Sequence, residues 1–301
     1  MFLAVLAPAA RAQEFSLQAG TNRLDTYAWS FDYLQSPMQY AAWSLSWMNE
    51  GHRGAHHRDG PAAMAWATWH VPWVPEIGAE GGAGAYYYHD TEALTAGGFK
   101  NEHGWSVISG LALTYPRQGQ WFGRLRYTHI AGNPGSDLVF AGLGLRLDAV
   151  GEGSLPQRSP TELIAYGGRT TINSLRSEGA IAGVLELRSG LSRHFDWSLS
   201  VIDEGDTGTT ERAGVAAQLW VADSTLGDRL SIGAGVGPYA FKDSAGEAAA
   251  HASVLVSPTA ALQISPRWST RLTWNRVISD YNRDADIMVL GIGYRLTKPG
   301  S

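Results

Sequence analysis

The sequence predicts an all-β fold: a closed antiparallel transmembrane barrel of about sixteen strands, built from two eight-strand repeats. Three observations carry the prediction. The chain repeats itself once, apolar and polar residues alternate with period two, and its connections alternate between short and long. The clearest repeat is WSLSWMNEGHRGAHHRDGPAAMAW, from Trp43 to Trp66, which returns as WSLSVIDEGDTGTTERAGVAAQLW, from Trp197 to Trp220. The register stays constant, so that Glu50, Gly51, Arg58 and Gly60 return as Glu204, Gly205, Arg212 and Gly214. GAGAYYYHD (from Gly82) likewise returns as GVGPYAFKD (from Gly235), and LVFAGLGLRL as IMVLGIGYRL. One duplication of a long unit excludes a solenoid, which needs shorter periods and more copies.

Period-two alternation places the strands. In the first copy they are expected to start near Phe15, Tyr27, Ala41, Ala62, Ile77, Trp105, Trp121 and Asp137. In the second copy the starts fall near Glu162, Ala180, Asp196, Gly214, Leu230, Ala252, Trp268 and Asp286. Tyr27, Trp29, Phe31 and Tyr33 share one face, against Ala28, Ser30 and Asp32. Trp43, Leu45 and Trp47 oppose Ser44 and Ser46, and Arg124, Arg126 and Thr128 oppose Leu125 and Tyr127. In the last strand Met288, Leu290, Ile292 and Tyr294 oppose Gly291, Gly293 and Arg295. Segments of about ten residues suit a tilted strand crossing a bilayer. QSPMQY, VPWVP and PRQGQ read as short turns, whereas NEGHRGAHHRDG, HDTEALTAGGFKNEHG and AGNPGSD read as longer polar loops. Short turns on one side and long loops on the other are the habit of outer-membrane barrels.

Composition narrows the class. With no cysteine there is no disulfide framework and no thiolate metal site. A net charge of −5 without a basic block gives no footing for nucleic acid. High glycine, tryptophan and tyrosine suit glycine-rich strands with aromatic girdles. The start, FLAVLAPAARA, is an apolar run closed by Ala10-Arg11-Ala12, a secretory cleavage pattern without its charged leading region. Residues 1–12 are therefore expected to be the remnant of a signal peptide. Residues 13–149 and 161–301 are expected to form two barrel halves, joined by a periplasmic linker at 150–160.

The chain resembles Gram-negative outer-membrane β-barrel proteins over its whole mature length. The most specific local feature is the final strand, Gly291-Ile-Gly-Tyr294-Arg-Leu296, which is similar to the terminal signal of such barrels, with Leu296 where Phe is usual and TKPGS trailing. The NEGH…HHRDG stretch also resembles one found in members of this class. The resemblance implies the bacterial outer membrane, contact with its lipid and lipopolysaccharide, and insertion by the barrel-assembly machinery. A soluble sandwich fits worse, because one face is rich in Trp, Tyr and Leu while the other carries charge, the inverted pattern of a barrel in lipid.

Two closures are open. A single barrel is favoured, with the strand near Phe15 paired to the one ending at Leu296; two eight-stranded barrels in tandem are the alternative. About sixteen strands would leave an aqueous lumen, whereas eight are filled by side chains. In the single barrel the inward residues Asp32, Glu50, Arg124, Arg126, Arg146, Glu186, Glu204, Arg271 and Arg295 would line the lumen. Arg124 would then face Arg271, and Arg146 would face Arg295.

The strongest polar cluster is the stretch with Glu50, His52, His56, His57, Arg58 and Asp59, whose neighbour is expected to hold His89, Asp90, Glu92, Glu102 and His103. Histidine and carboxylate together suit a divalent metal, so His52, His56, His57 and Asp59 are candidate ligands for a loosely bound one; no other cofactor is expected. In the second copy those four positions read Asp206, Thr210, Glu211 and Ala213, while Glu50 and Arg58 have counterparts. The retained pair is therefore expected to be an architectural ion pair. The function expected is non-enzymatic: a passive channel for small solutes, or a structural barrel. The alternatives are a hydrolase modifying outer-leaflet lipid A, with Glu50 and His52 as catalytic groups, and a component of polysaccharide export.

Overall fold

The computed structural model describes residues 12–22, 26–96, 99–132, 135–146, 159–173, 178–192, 195–225, 229–245, 250–279 and 283–296. The expected signal-peptide remnant (but for Ala12) and most of the linker lie outside them. Sixteen strands form among the described residues. In the first copy they are β1 (Ala12–Asn22), β2 (Tyr27–Met38), β3 (Ala41–Arg53), β4 (His56–Val71), β5 (Val74–Ala93), β6 (Phe99–Tyr115), β7 (Trp121–Ile130) and β8 (Ser136–Arg146). In the second they are β9 (Glu162–Ile172), β10 (Gly179–Gly190), β11 (Phe195–Asp206), β12 (Glu211–Thr225), β13 (Leu230–Asp243), β14 (Ala250–Gln263), β15 (Trp268–Ile278) and β16 (Ala285–Arg295).

Each copy closes on itself. β1 to β8 make one closed barrel and β9 to β16 a second, every neighbour antiparallel. The chain divides into two compact units between Glu152 and Gly153. This corrects the single sheet favoured from the sequence: β1 pairs with β8, with Glu14 opposite Arg146, and β16 pairs with β9, with Arg295 opposite Glu162. Both closing strands carry Gly-x-Gly-x-Arg, and these glycines allow close approach at the seam. A Cβ at Gly142 would stand 2.1 Å from the Leu17 carbonyl oxygen, and one at Gly291 would stand 2.4 Å from the Tyr166 ring.

Outside, the barrels are apolar. Leu17, Leu45, Leu111, Leu125 and Leu143 are exposed on the first, and Leu185, Leu199, Leu219, Leu272 and Ile292 on the second. Tyr40, Trp69, Trp73, Tyr115 and Trp121 are exposed toward the short-turn end of the first barrel, and Phe195 and Trp268 toward that end of the second. Inside, charged and polar groups are buried beside aromatic and aliphatic ones such as Trp66, Phe140 and Trp220. At about 25 cal/mol per Å² an apolar surface of this kind is unfavourable in water, and it suits hydrocarbon.

Several strands outrun a bilayer. β4, β5 and β6 have 16, 20 and 17 residues, against the 9–11 or so that a tilted strand needs. The stretches at 49–60 and 89–104 that were expected to be polar loops are thus largely strand. β3 reaches Arg53 and β4 begins at His56, and β5 and β6 stay paired from Gly78–Thr114 to Ala93–Phe99. A bulge between Asn49 and His52 takes up the irregularity. Gly51 sits there at φ +75°, and its counterpart Gly205 at φ +72° serves the matching bulge in β11. Side-chain Cβ atoms at these positions would also lie 2.0 and 2.3 Å from the carbonyl oxygens of Tyr27 and Ile181.

Candidate functional site

The first candidate is the inside of each barrel, where the expected lumen residues lie. In the first barrel Asp32 accepts from Arg126 Nη1 (2.6 Å), Ser30 Oγ (3.0 Å), Ser16 Oγ (3.3 Å) and Gln18. Arg126 also donates to Ser30 (2.8 Å), and its guanidinium lies 4.8 Å from the Phe140 ring centroid. Arg124 bonds Glu80 and stands 3.9 Å from Glu14, which in turn takes Arg146 Nε at 2.8 Å. Toward the long-hairpin end, Glu50 takes Arg58 through two bonds of 2.5 and 2.8 Å.

The second barrel repeats the plan. Glu204 pairs with Arg212 at 2.6 Å, as Glu50 does with Arg58, so the retained Glu–Arg pair is an ion pair in both copies. Trp220 Nε1 donates to Ser198 at 2.9 Å, as Trp66 does to Ser44 at 2.8 Å. Arg188 lies 4.0 Å above the Trp220 ring and bonds Asp196 at 3.0 Å. Tyr166 donates to Glu186 at 3.0 Å, and Arg271 bonds Glu162 at 3.1 Å. Arg295 lies on the same face of β16 as Gly291 and Gly293.

Asp32, Glu50, Arg124, Arg126, Glu186, Glu204 and Arg271 are buried, each against a charged or polar side chain. Between Ser16, Asp32, Trp66, Arg124 and Arg126 lies a cavity of about 10 Å³, room for about one water. The expected facing of Arg124 with Arg271, and of Arg146 with Arg295, is corrected, since the members of each pair belong to different closed barrels. Sequence reasoning gave no role to Glu14 and Glu162. Their signal is the repeat itself: each copy's first strand carries one glutamate near its start, and each meets the corresponding arginine, Arg124 or Arg271.

The second candidate is the projecting sheet of β3 to β6. The structure divides the expected metal set between two faces. His52 lies opposite His57, their ring centroids 5.0 Å apart, and Asp59 follows on the face of His57. His57 Nε2 meets Asn49 Nδ2 at 3.0 Å. His56 is on the other face, opposite Glu92, with Nδ1 3.2 Å from both Asp90 oxygens and Nε2 3.9 Å from Glu92 Oε1. The expected adjacency of this stretch to Asp90 and Glu92 is therefore realised through His56. Glu50 is fully enclosed and held by Arg58, while His52 is exposed beyond the bulge.

A closed antiparallel sheet with an apolar exterior and a charged, paired interior defines an integral membrane β-barrel, and this chain contains two. No protein-family model and no curated protein matches it. Among solved structures it is similar to the N-terminal β-barrel domain of OprF from Pseudomonas aeruginosa, at 14% identity and a TM-score of 0.38, over 46% of this chain and 99% of that one. An outer-membrane channel from Pseudomonas putida F1 is 11% identical over 98% of each chain, with a TM-score of 0.24. The Acinetobacter baumannii outer-membrane protein Omp33 is 10% identical over 96% of this chain and 100% of its own, with a TM-score of 0.22.

Proposed function

We propose that this protein is an integral protein of the bacterial outer membrane that serves as a structural, non-enzymatic pair of filled barrels rather than as an open pore. The single observation that carries the reading is the packing inside the first barrel, where the buried Asp32–Arg126 and Glu80–Arg124 pairs border a cavity with room for about one water. A solute path would require several buried ion pairs to part at once, each costly to break. The apolar belt meets lipid, the projecting hairpins of β3 to β6 reach the level of lipopolysaccharide headgroups, and the barrel-assembly machinery inserts the chain. Nothing in the charge pattern favours nucleic acid. The lipid-hydrolase alternative is disfavoured because Glu50 is locked to Arg58 within the barrel, away from any rim substrate.

The test is planar-bilayer recording of the full chain. The expected result is no stable open-channel current in the wild type. Sustained ohmic steps from the purified wild type would overturn the proposal and restore the channel reading.

A further inference from the structure

The projecting sheet of the first barrel carries an arrangement that its second copy lacks. His56 on β4 lies directly opposite Glu92 on β5, and Asp90 is two residues back on the same face. Asp90 accepts from His56 Nδ1, both oxygens at 3.2 Å. With Nδ1 donating to the carboxylate, Nε2 is the nitrogen that presents a lone pair. A carboxylate holding one imidazole nitrogen while the other faces a ligand position is the usual support of a metal-binding histidine. Here Nε2 faces Glu92 Oε1 at 3.9 Å, too long for a hydrogen bond. An imidazole nitrogen and a carboxylate oxygen sharing one zinc stand roughly 3.4 Å apart at a tetrahedral angle, and about 4 Å apart at the linear limit. The observed separation lies between these limits, at an N–Zn–O angle of about 140°, which a small shift of the exposed Glu92 side chain would close toward tetrahedral.

Charge agrees with the geometry. Asp90, Glu92 and Glu102 share the face, since Asp90 is opposite Glu102 and Glu92 opposite Lys100. Lys100 pairs with Glu102, and Arg58 is taken up by Glu50. Arg58 lies opposite Asp90 and Lys100 opposite Glu92, so the four carboxylates of Glu50, Asp90, Glu92 and Glu102 stand against two cations, and a divalent cation balances the excess. The side chains of His56 and Glu92 are 40% and 39% exposed, so the position is open to ions and both groups are free to adjust.

The second barrel supplies the contrast. Its positions corresponding to His56, Asp90 and Glu92 are Thr210, Asp243 and Ala245. Asp243 survives as a turn cap, accepting from the backbone N–H groups of Glu211 (3.1 Å) and Ala245 (3.2 Å). The carboxylate is thus common to both copies, while the histidine and the glutamate occur only in the first.

We infer that His56 and Glu92 form a divalent-cation site of the zinc class at the mouth of the first barrel, with Asp90 as the positioning residue and water completing the coordination. The site does not depend on whether the barrels conduct. Its test is zinc titration of the full chain, folded in detergent micelles, by calorimetry. One zinc is expected to bind. His56→Gln and Glu92→Gln should each weaken it by about tenfold or more, and Asp90→Asn by about tenfold. His52→Gln and His57→Gln, on the opposite face, should leave it unchanged. Heat-shifted mobility on gels verifies that each variant is folded. No zinc binding by the wild type, unchanged affinity in His56→Gln and Glu92→Gln, or loss on removing His52 or His57 instead would each overturn the inference.

Discussion

Arg126→Met tests whether the ion pairs hold the first barrel together. The side chains of Arg126 and Asp32 are 2% and 6% exposed, so solvent cannot take over from a missing partner. The substitution removes the bond to Asp32 and the bond to Ser30, together with the contact with Phe140. Removing one partner of a buried pair costs about 3–5 kcal/mol, because the other charge stays buried. Asp32 keeps Gln18, Ser16 and Ser30 as donors, which places the expected loss near the lower end, about 3 kcal/mol. Asp32→Asn alone should be costly for the same reason. The double variant Asp32→Asn/Arg126→Met should lose less than the sum of the two, since no unpaired charge remains. The assay is urea unfolding in lipid vesicles, followed by tryptophan fluorescence and heat-shifted gel mobility. Strict additivity of the two single losses, or no loss at all for Arg126→Met, would refute the reasoning.

Other outcomes follow from the same structure. Gly51→Val should destabilise the first barrel, and Gly205→Val the second, because each position has φ above +70° and a carbonyl oxygen where the side chain would go. Unfolding midpoints of the two variants check this, and a neutral result at either site contradicts the bulge geometry. Residues 13–149 and 161–301, expressed separately, should each fold into a heat-shifted barrel, since every strand finds both neighbours within its own copy. Failure of both pieces to fold, while the full chain folds, would mean that the copies depend on one another.

The strand count was legible because alternation and duplication act on every strand at once. Sixteen periodic segments were visible, and all sixteen form. Closure was not legible. Gly142 to Arg146 and Gly291 to Arg295 have the same pattern, so either could seal either seam, and backbone edges carry no address in a single sequence. Strand ends were misjudged where polarity was taken for a loop. From His56 to Asp59 and from Lys100 to His103 the residues are polar because they stand above the apolar belt, yet their backbones stay paired. The histidines were misgrouped for a related reason. Adjacent residues on a strand face opposite ways, so placing His56 and His57 in one loop concealed that they belong to different faces.

The two seams also bear on the order of assembly. Every other strand pairing joins sequence neighbours, and the one long-range closure of the first barrel joins Glu14 to Arg146, 132 residues apart. A single sheet would have needed its last strand to return to the first across the whole chain. By loop-closure entropy, doubling that distance costs only about 0.6 kcal/mol, so equilibrium barely distinguishes the designs. Kinetics does. An early seam lets the N-terminal barrel finish before the C-terminal half is engaged. It leaves no unsealed hydrogen-bonding edge waiting on the remainder of the polypeptide, and so shortens the interval in which that edge could recruit a foreign strand.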